Sequence, residues 1–152
     1  MTEKSLIAVG SDHAGYDLKM KVMSFLEEMG YDVIDKGTYS SGGSVDYPDF
    51  AKEVAQEVSN GKCRFGILFC GTGMGMAMAA NKIKRIRAVT CTDTVSADLA
   101  RRHNDANILC LGGRITTPLI AMAIVESFLK AEFEGGRHAR RVGKITDMEK
   151  AD

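Results

Sequence analysis

Five short apolar or β-branched runs, each followed by a helix-length segment, constrain this chain more than any other feature. The runs are Leu6-Ile7-Ala8-Val9, Asp32-Val33-Ile34, Phe65-Gly66-Ile67-Leu68-Phe69, Arg87-Ala88-Val89-Thr90 and Ile108-Leu109-Cys110-Leu111. Between the first two, Leu18, Val22, Phe25, Leu26 and Met29 recur at helical spacing, and Gly30 supplies a stop. Similar periodicity predicts helices over 48–59, 74–83, 95–103 and 118–131, the last opened by Pro118. Repeated βα units need right-handed crossovers, which produce a parallel sheet with helices on both faces. The expected fold is therefore a single doubly wound α/β domain, Rossmann-like or flavodoxin-like, with a five-stranded parallel sheet in the order 2-1-3-4-5.

A length of 152 residues suits one domain spanning 1–152, large enough to bury roughly 70% of the surface of its unfolded chain. Ser40-Ser41-Gly42-Gly43-Ser44 reads as a flexible loop, and residues 135–152 read as an exposed basic C-terminal tail. Twenty basic and 20 acidic residues cancel, so no global field steers the chain toward nucleic acid or an anionic membrane. An anionic ligand must be held locally. No apolar run approaches the ~20 residues that span a bilayer and no signal-type segment opens the chain, so a cytoplasmic location is expected. Cys63, Cys70, Cys91 and Cys110 lack paired spacing and suit reduced thiols better than disulfides or structural zinc.

In the expected sheet, the crevice opens where strands 1 and 3 lie side by side. Strand 1 ends in Ser11-Asp12-His13-Ala14-Gly15, and strand 3 ends in Cys70-Gly71-Thr72-Gly73-Met74-Gly75. Gly71, Gly73 and Gly75 allow backbone N–H groups to converge on an anion or oxyanion, or they simply make a tight strand-to-helix turn. The loop is neither a Walker A sequence nor a dinucleotide fingerprint. Cys70, at the start of a helix, is either a thiolate favoured by the helix dipole or an inert core thiol. Cys91 and Cys110 read as packing.

Asp12 and His13 either meet polar substrate atoms or, for Asp12, cap the next turn. His103 and Asn104 end an arginine-rich helix, which equally describes a cationic last turn with an Asn stop. Arg137 and Arg141 share one helical face and suit a phosphate, or form a solvated basic run. The methionines, among them Met74, read as core filler.

Taken together, Gly10-Ser11-Asp12-His13-Ala14-Gly15, Asp46-Tyr47-Pro48, Cys70-Gly71-Thr72-Gly73, Ala79-Ala80-Asn81-Lys82, Arg102-His103-Asn104-Asp105 and Gly135-Gly136-Arg137-His138 resemble the type B ribose-5-phosphate isomerases and the related galactose-6-phosphate and allose-6-phosphate isomerases. The likeness covers nearly the whole chain. It implies an aldose-ketose isomerase, with ribose 5-phosphate and ribulose 5-phosphate as the favoured pair and a six-carbon sugar phosphate as the alternative. By that resemblance Cys70 moves a proton between C1 and C2, and Thr72 with the Gly71, Gly73 and Gly75 loop steadies the enediolate. His103, with Asp12 nearby, is implied in furanose opening. Tyr47 and Met74 line the site, Asn81 and Asn104 bind substrate hydroxyls or the loop, and His13, Arg114, Arg137 and Arg141 engage phosphate.

One branch of that family places a glutamate base where Met74 stands, so the resemblance is to the cysteine branch. No cofactor or metal is implied. His103 is expected at the end of a helix descending from the level of Cys70, so the reading also predicts a homodimer, or a dimer of dimers, with shared sites. A non-catalytic sugar-phosphate-binding module and a flavodoxin-like redox protein are the rival readings.

Overall fold

The structure, a computed structural model, describes residues 5–150. Its elements are β1 (Leu6–Ser11), α1 (Tyr16–Glu28), β2 (Asp32–Asp35), α2 (Tyr47–Ser59), β3 (Phe65–Cys70), α3 (Met74–Ala80), β4 (Ala88–Thr90), α4 (Thr94–Asn104), β5 (Ile108–Gly112), α5 (Pro118–Lys130) and α6 (Arg137–Met148). All strand pairs are parallel, with Val9 opposite Ile67 and Leu68 opposite Cys110. The five predicted strands and the first five helices are present. The segment read as an exposed tail forms α6.

Alternate residues of the central strands divide between two cores. Ile7, Val9, Phe65, Ile67, Phe69, Leu109 and Leu111 meet α1, α4 and α5 through Leu18, Val22, Ala97, Ala100, Ile124 and Phe128. Ala8, Leu68, Cys70, Ile108 and Cys110 meet α2 and α3 through Val54, Val58, Met76 and Ala80. Every residue of β3 and β5 is buried, the condition of a parallel strand covered on both faces. Gly66 lets α2 approach closely: a Cβ there would lie 2.6 Å from a methyl of Val54.

The sheet order is β2-β1-β3-β5-β4, not the expected 2-1-3-4-5. β4 has three residues, and Val89 and Thr90 are half-buried, so it suits an edge. The five-residue, wholly buried β5 can fill an interior position and pairs with both β3 and β4. Because the step from β4 to β5 runs back toward the sheet centre, a right-handed crossover puts α4 on the face of α1 and α5. Ala97 and Ala100 accordingly belong to that core. The crevice between β1 and β3 is unaffected by the exchange.

No described helix is long and apolar enough to cross a membrane. All four cysteines are free and buried.

Candidate active site

The loops after β1, β3 and β5 interlock at the carboxyl ends of the strands. The Asp12 N–H donates to the Phe69 carbonyl at 3.2 Å, the Gly113 N–H to the Cys70 carbonyl at 2.8 Å, and the Arg114 N–H to the Gly71 carbonyl at 3.0 Å. Gly15 passes so close to β3 that a Cβ would lie 2.4 Å from the carbonyl carbon and oxygen of Phe69. Only a residue without a side chain permits this contact.

Cys70 sits where these loops meet. Its Sγ accepts a hydrogen bond from the Gly73 N–H at 3.1 Å. Gly73 holds a left-handed conformation with φ 81°, which turns its N–H back toward the sulfur. Such a bond strengthens when its acceptor carries charge. Thr90 Oγ1 donates to the Gly73 carbonyl at 3.1 Å, and Thr72 Oγ1 accepts from the Met74 N–H at 3.2 Å, so the loop is pinned from both sides. The other thiols have different surroundings: burial pushes Cys91 up to about 11, and burial likewise raises Cys110 and Cys63.

Around the thiol, the buried Asp12 accepts the Gly15 N–H through Oδ1 at 2.9 Å, which is the turn-capping role. Its Oδ2 takes no hydrogen bond among the described residues. His13 Nδ1 accepts the Val45 N–H at 3.1 Å, which leaves Nε2 as its uncommitted ring nitrogen. The ring of Tyr47, at the start of α2, lies over Gly75: a Cβ on Gly75 would be 2.5 Å from it. The Arg114 guanidinium lies beside Gly71, 3.2 Å from where a Cβ would stand. Met74 is exposed at the first position of α3 rather than in the core, contrary to its reading as filler.

Asp12, His13, Tyr47, Cys70, Gly71, Thr72, Gly73, Gly75 and Arg114 thus form one neighbourhood. Asn81, His103, Asn104, Arg137 and Arg141 lie elsewhere on the same chain. The Asn81 side chain donates to the Ala88 carbonyl at 2.9 Å and accepts the Ala88 N–H at 2.7 Å, tying the end of α3 to the start of β4. Asn104 shares with it a groove of ≈ 480 Å³ that Ile145 and Met148 of α6 also line. His103 and α6 belong to this amino-terminal side of the sheet, because α4 descends about 15 Å from the strand ends at 1.5 Å per residue.

At that lower end the His103 and His138 rings stack in parallel, centroids 4.2 Å apart and planes within 6°. Glu134 Oε1 lies 3.7 Å from His103 Nε2 and 3.6 Å from His138 Nε2. Arg102 Nε donates to Glu134 Oε2 at 2.7 Å, and hydrogen bonding from Arg102 draws the carboxyl below its ordinary range. Loss of hydration, followed by the nearby charge of His103 and then Arg137, lowers the pKa of His138. Among the described residues, His103, Glu134 and His138 are the one group with metal-ligand atoms close enough together, within 4.8 Å. Arg102 already occupies the carboxylate and the charges of Arg137 and Arg141 work against a proton on His138, so the local charge disfavours a dication.

Sequence reasoning assigned no role to Glu134 or His138. Their i,i+4 spacing across Gly135-Gly136 was the available signal, and it becomes interpretable only once α6 folds back over α4.

Residues 7–145 match the protein family described as Ribose/Galactose Isomerase. The chain is 49% identical over 143 residues to ribose-5-phosphate isomerase B of Escherichia coli, covering 94% of this chain and 95% of that one. Its structure superimposes on ribose-5-phosphate isomerase B of Clostridium thermocellum with a TM-score of 0.94 and 53% identity, covering 96% and 98% of the two chains. The enzyme of Mycoplasma genitalium, solved with bound ribulose-5-phosphate, gives a TM-score of 0.94 with 44% identity over 99% of this chain and 100% of that one. Matched by the family over residues 7–145 and by these enzymes over nearly its whole length, the chain belongs to the ribose/galactose isomerase family.

Proposed function

We propose that this protein interconverts ribose 5-phosphate and ribulose 5-phosphate through a cis-enediolate, with the Cys70 thiolate as the base. The observation that carries the reading is the Cys70 sulfur, aimed at the Gly73 N–H in a crevice bordered by Asp12, His13, Tyr47, Thr72 and Arg114. Met74 has no group that takes a proton, so Cys70 is the base of choice in this loop. The similarity to enzymes named ribose-5-phosphate isomerase B, one of them holding ribulose-5-phosphate, supports this substrate pair over a six-carbon sugar phosphate.

In the reaction, Cys70 removes the C2 proton of the open-chain aldose and returns a proton at C1. The Thr72 hydroxyl and those N–H groups of the Gly71–Gly75 loop that Cys70 and Thr72 leave free stabilise the negative oxygen formed between the two transfers. A general base supplies about 10²–10⁴-fold, so oxyanion stabilisation has to contribute on a similar scale. His103 with Asp12 opens the furanose. His13 Nε2, Arg114, Arg137 and Arg141 hold the phosphate, and Asn104 binds a sugar hydroxyl. Asn81 acts on the loop through β4, since both ends of its amide are engaged by Ala88.

Such a site needs two chains. His103, Arg137 and Arg141 lie about a helix length from Cys70 within one chain, farther than a pentose phosphate reaches, so a neighbour in a homodimer or a dimer of dimers supplies them. The proposed activity is metal-independent and belongs to cytoplasmic pentose phosphate metabolism.

Conversion of ribose 5-phosphate in deuterated water tests the central step. The expected product carries solvent deuterium on carbon, and Cys70→Ala abolishes both conversion and exchange while phosphate binding persists. Full conversion by Cys70→Ala refutes the assignment. Parallel kinetics on allose 6-phosphate and galactose 6-phosphate measure the preference for five carbons.

A further inference from the structure

We infer that Glu134 and His138 are positioning residues that hold the His103 ring for furanose opening. The inference rests on the reading of His103 as the ring-opening acid-base group. It goes beyond that reading by assigning work to two side chains that touch no substrate.

The lower end of α4 carries His103 at its penultimate residue, where a side chain on the last turn has few helix neighbours to fix it. Its ring is 36% exposed, yet two contacts define its plane. One is the buried His138 ring, parallel to it at 4.2 Å. The other is Glu134 Oε1, which faces the Nε2 atoms of both rings. At 3.7 Å the carboxylate is an electrostatic neighbour rather than a hydrogen-bond partner, and with the stacked ring it favours one orientation of His103.

Glu134 is itself held. Arg102 Nε and its terminal nitrogen reach Oε2 at 2.7 and 2.6 Å, and the Glu134 N–H donates to the Arg102 carbonyl at 3.0 Å. Asp98 anchors the same guanidinium from one turn earlier at 3.0 Å. Gly135 and Gly136, both with positive φ, make the reversal that lets residues 134 and 138 face the same ring.

The two histidines divide the labour. His138 Nε2 is buried without a hydrogen-bond partner, and loss of hydration together with the charges of His103, Arg137 and Arg141 works against its protonation, Glu134 alone favouring it. His138 is therefore held toward its neutral form and serves as a flat plate against the His103 ring. A neutral aromatic face against an imidazolium is a favourable contact.

The test compares two substrates on the intact enzyme. D-Ribose 5-phosphate must be opened, whereas 4-deoxy-D-ribose 5-phosphate lacks the hydroxyl that closes a furanose and needs no opening. His103→Ala should lower kcat on the first by about 10²-fold or more, the scale of general acid-base catalysis, and on the second by less than about threefold. Glu134→Gln and His138→Ala should each lower kcat on ribose 5-phosphate about tenfold, with KM and the open-chain analogue changed less than about twofold. His138→Phe should recover most of the loss, because it restores the plate without the nitrogens.

Full turnover of ribose 5-phosphate by Glu134→Gln and His138→Ala overturns the inference. So does equal loss on both substrates while His103→Ala remains selective, which leaves the assignment of His103 standing. If His103→Ala itself slows both substrates equally, the ring-opening assignment fails and the inference with it. Glu134→Gln is isosteric at an exposed residue, so it decides the matter even if a replacement of the buried His138 does not fold.

Discussion

Mixing two inactive variants gives the sharpest test of how the site is assembled. Cys70 terminates β3 at the upper edge of the sheet, while His103 sits ten residues into the eleven-residue α4, about 15 Å below the point where that helix begins. Cys70→Ala destroys the upper half of the site and His103→Ala the lower half. In a symmetric dimer that shares its sites, a mixed pair has one site with both defects and one with neither. Random exchange of equal amounts makes half of the dimers mixed, so about a quarter of all sites are intact and the mixture should recover about 25% of wild-type activity. The assay is a coupled or direct measurement of ketose formation after incubation, with mixed dimers quantified by native mass spectrometry of differently tagged chains. Mixed dimers present at half of the total, with activity no higher than that of the separate variants, would refute a site shared across the interface.

Gly15→Ala should fold poorly or lose about 10²-fold in activity, because its Cβ would meet the Phe69 carbonyl at 2.4 Å and push the Asp12 loop away from Cys70 by roughly an ångström; urea melts and kinetics of the purified variant report the two effects separately. Lys19 is fully buried and pairs with Asp35 at 2.8 Å, so Lys19→Met, which strands that carboxylate, should cost about 3 kcal/mol in chemical denaturation. Replacing Gly75 by Ala should raise KM more than it lowers stability, since the added methyl group displaces the exposed Tyr47 ring rather than backbone, and a wild-type KM would count against Tyr47 lining the sugar site. The folded-state pKa of Cys91, about 11, exceeds that of a free thiol, so its contribution to stability is complete below the unfolded value near 8.5 and is lost as pH rises through about 11. Cys91→Ala should flatten the fall in stability between pH 9 and 11, as read from melting temperatures.

Local pattern made most of the architecture legible. The five strands announce themselves as apolar runs, and the two glycine-containing loops fall at the ends of β1 and β3 wherever the remaining strands go. Strand order was not legible for the last pair. Val89 and Thr90 look as strand-like as Leu109 and Leu111, and only length and burial, three residues with one buried against five all buried, separate an edge from an interior position. That 137–148 form a helix within the basic, mostly exposed segment was illegible for a related reason. Helix α6 is strongly amphipathic and mostly polar, and its sole buried residue is His138, a poor marker of a packed face.

Strand order and site division have one physical root. A chain that steps outward from β3 to β4 and back to β5 must return through α4 on the far face of the sheet, and a helix entered at the strand ends can only finish at their beginnings. His103 is carried away from Cys70 by that descent, and α6, which packs on the end of α4, takes Arg137 and Arg141 with it. Each chain therefore carries Cys70 at one end and His103, Arg137 and Arg141 at the other, the two halves of the proposed site. Lengthening α4 by a full turn of four residues after Leu99 would move His103 about 6 Å while keeping its face. Because His103 belongs to the proposed site, that insertion should abolish activity yet leave phosphate-independent alkylation of Cys70 intact; retained activity would mean that the end of α4 takes no part in the site.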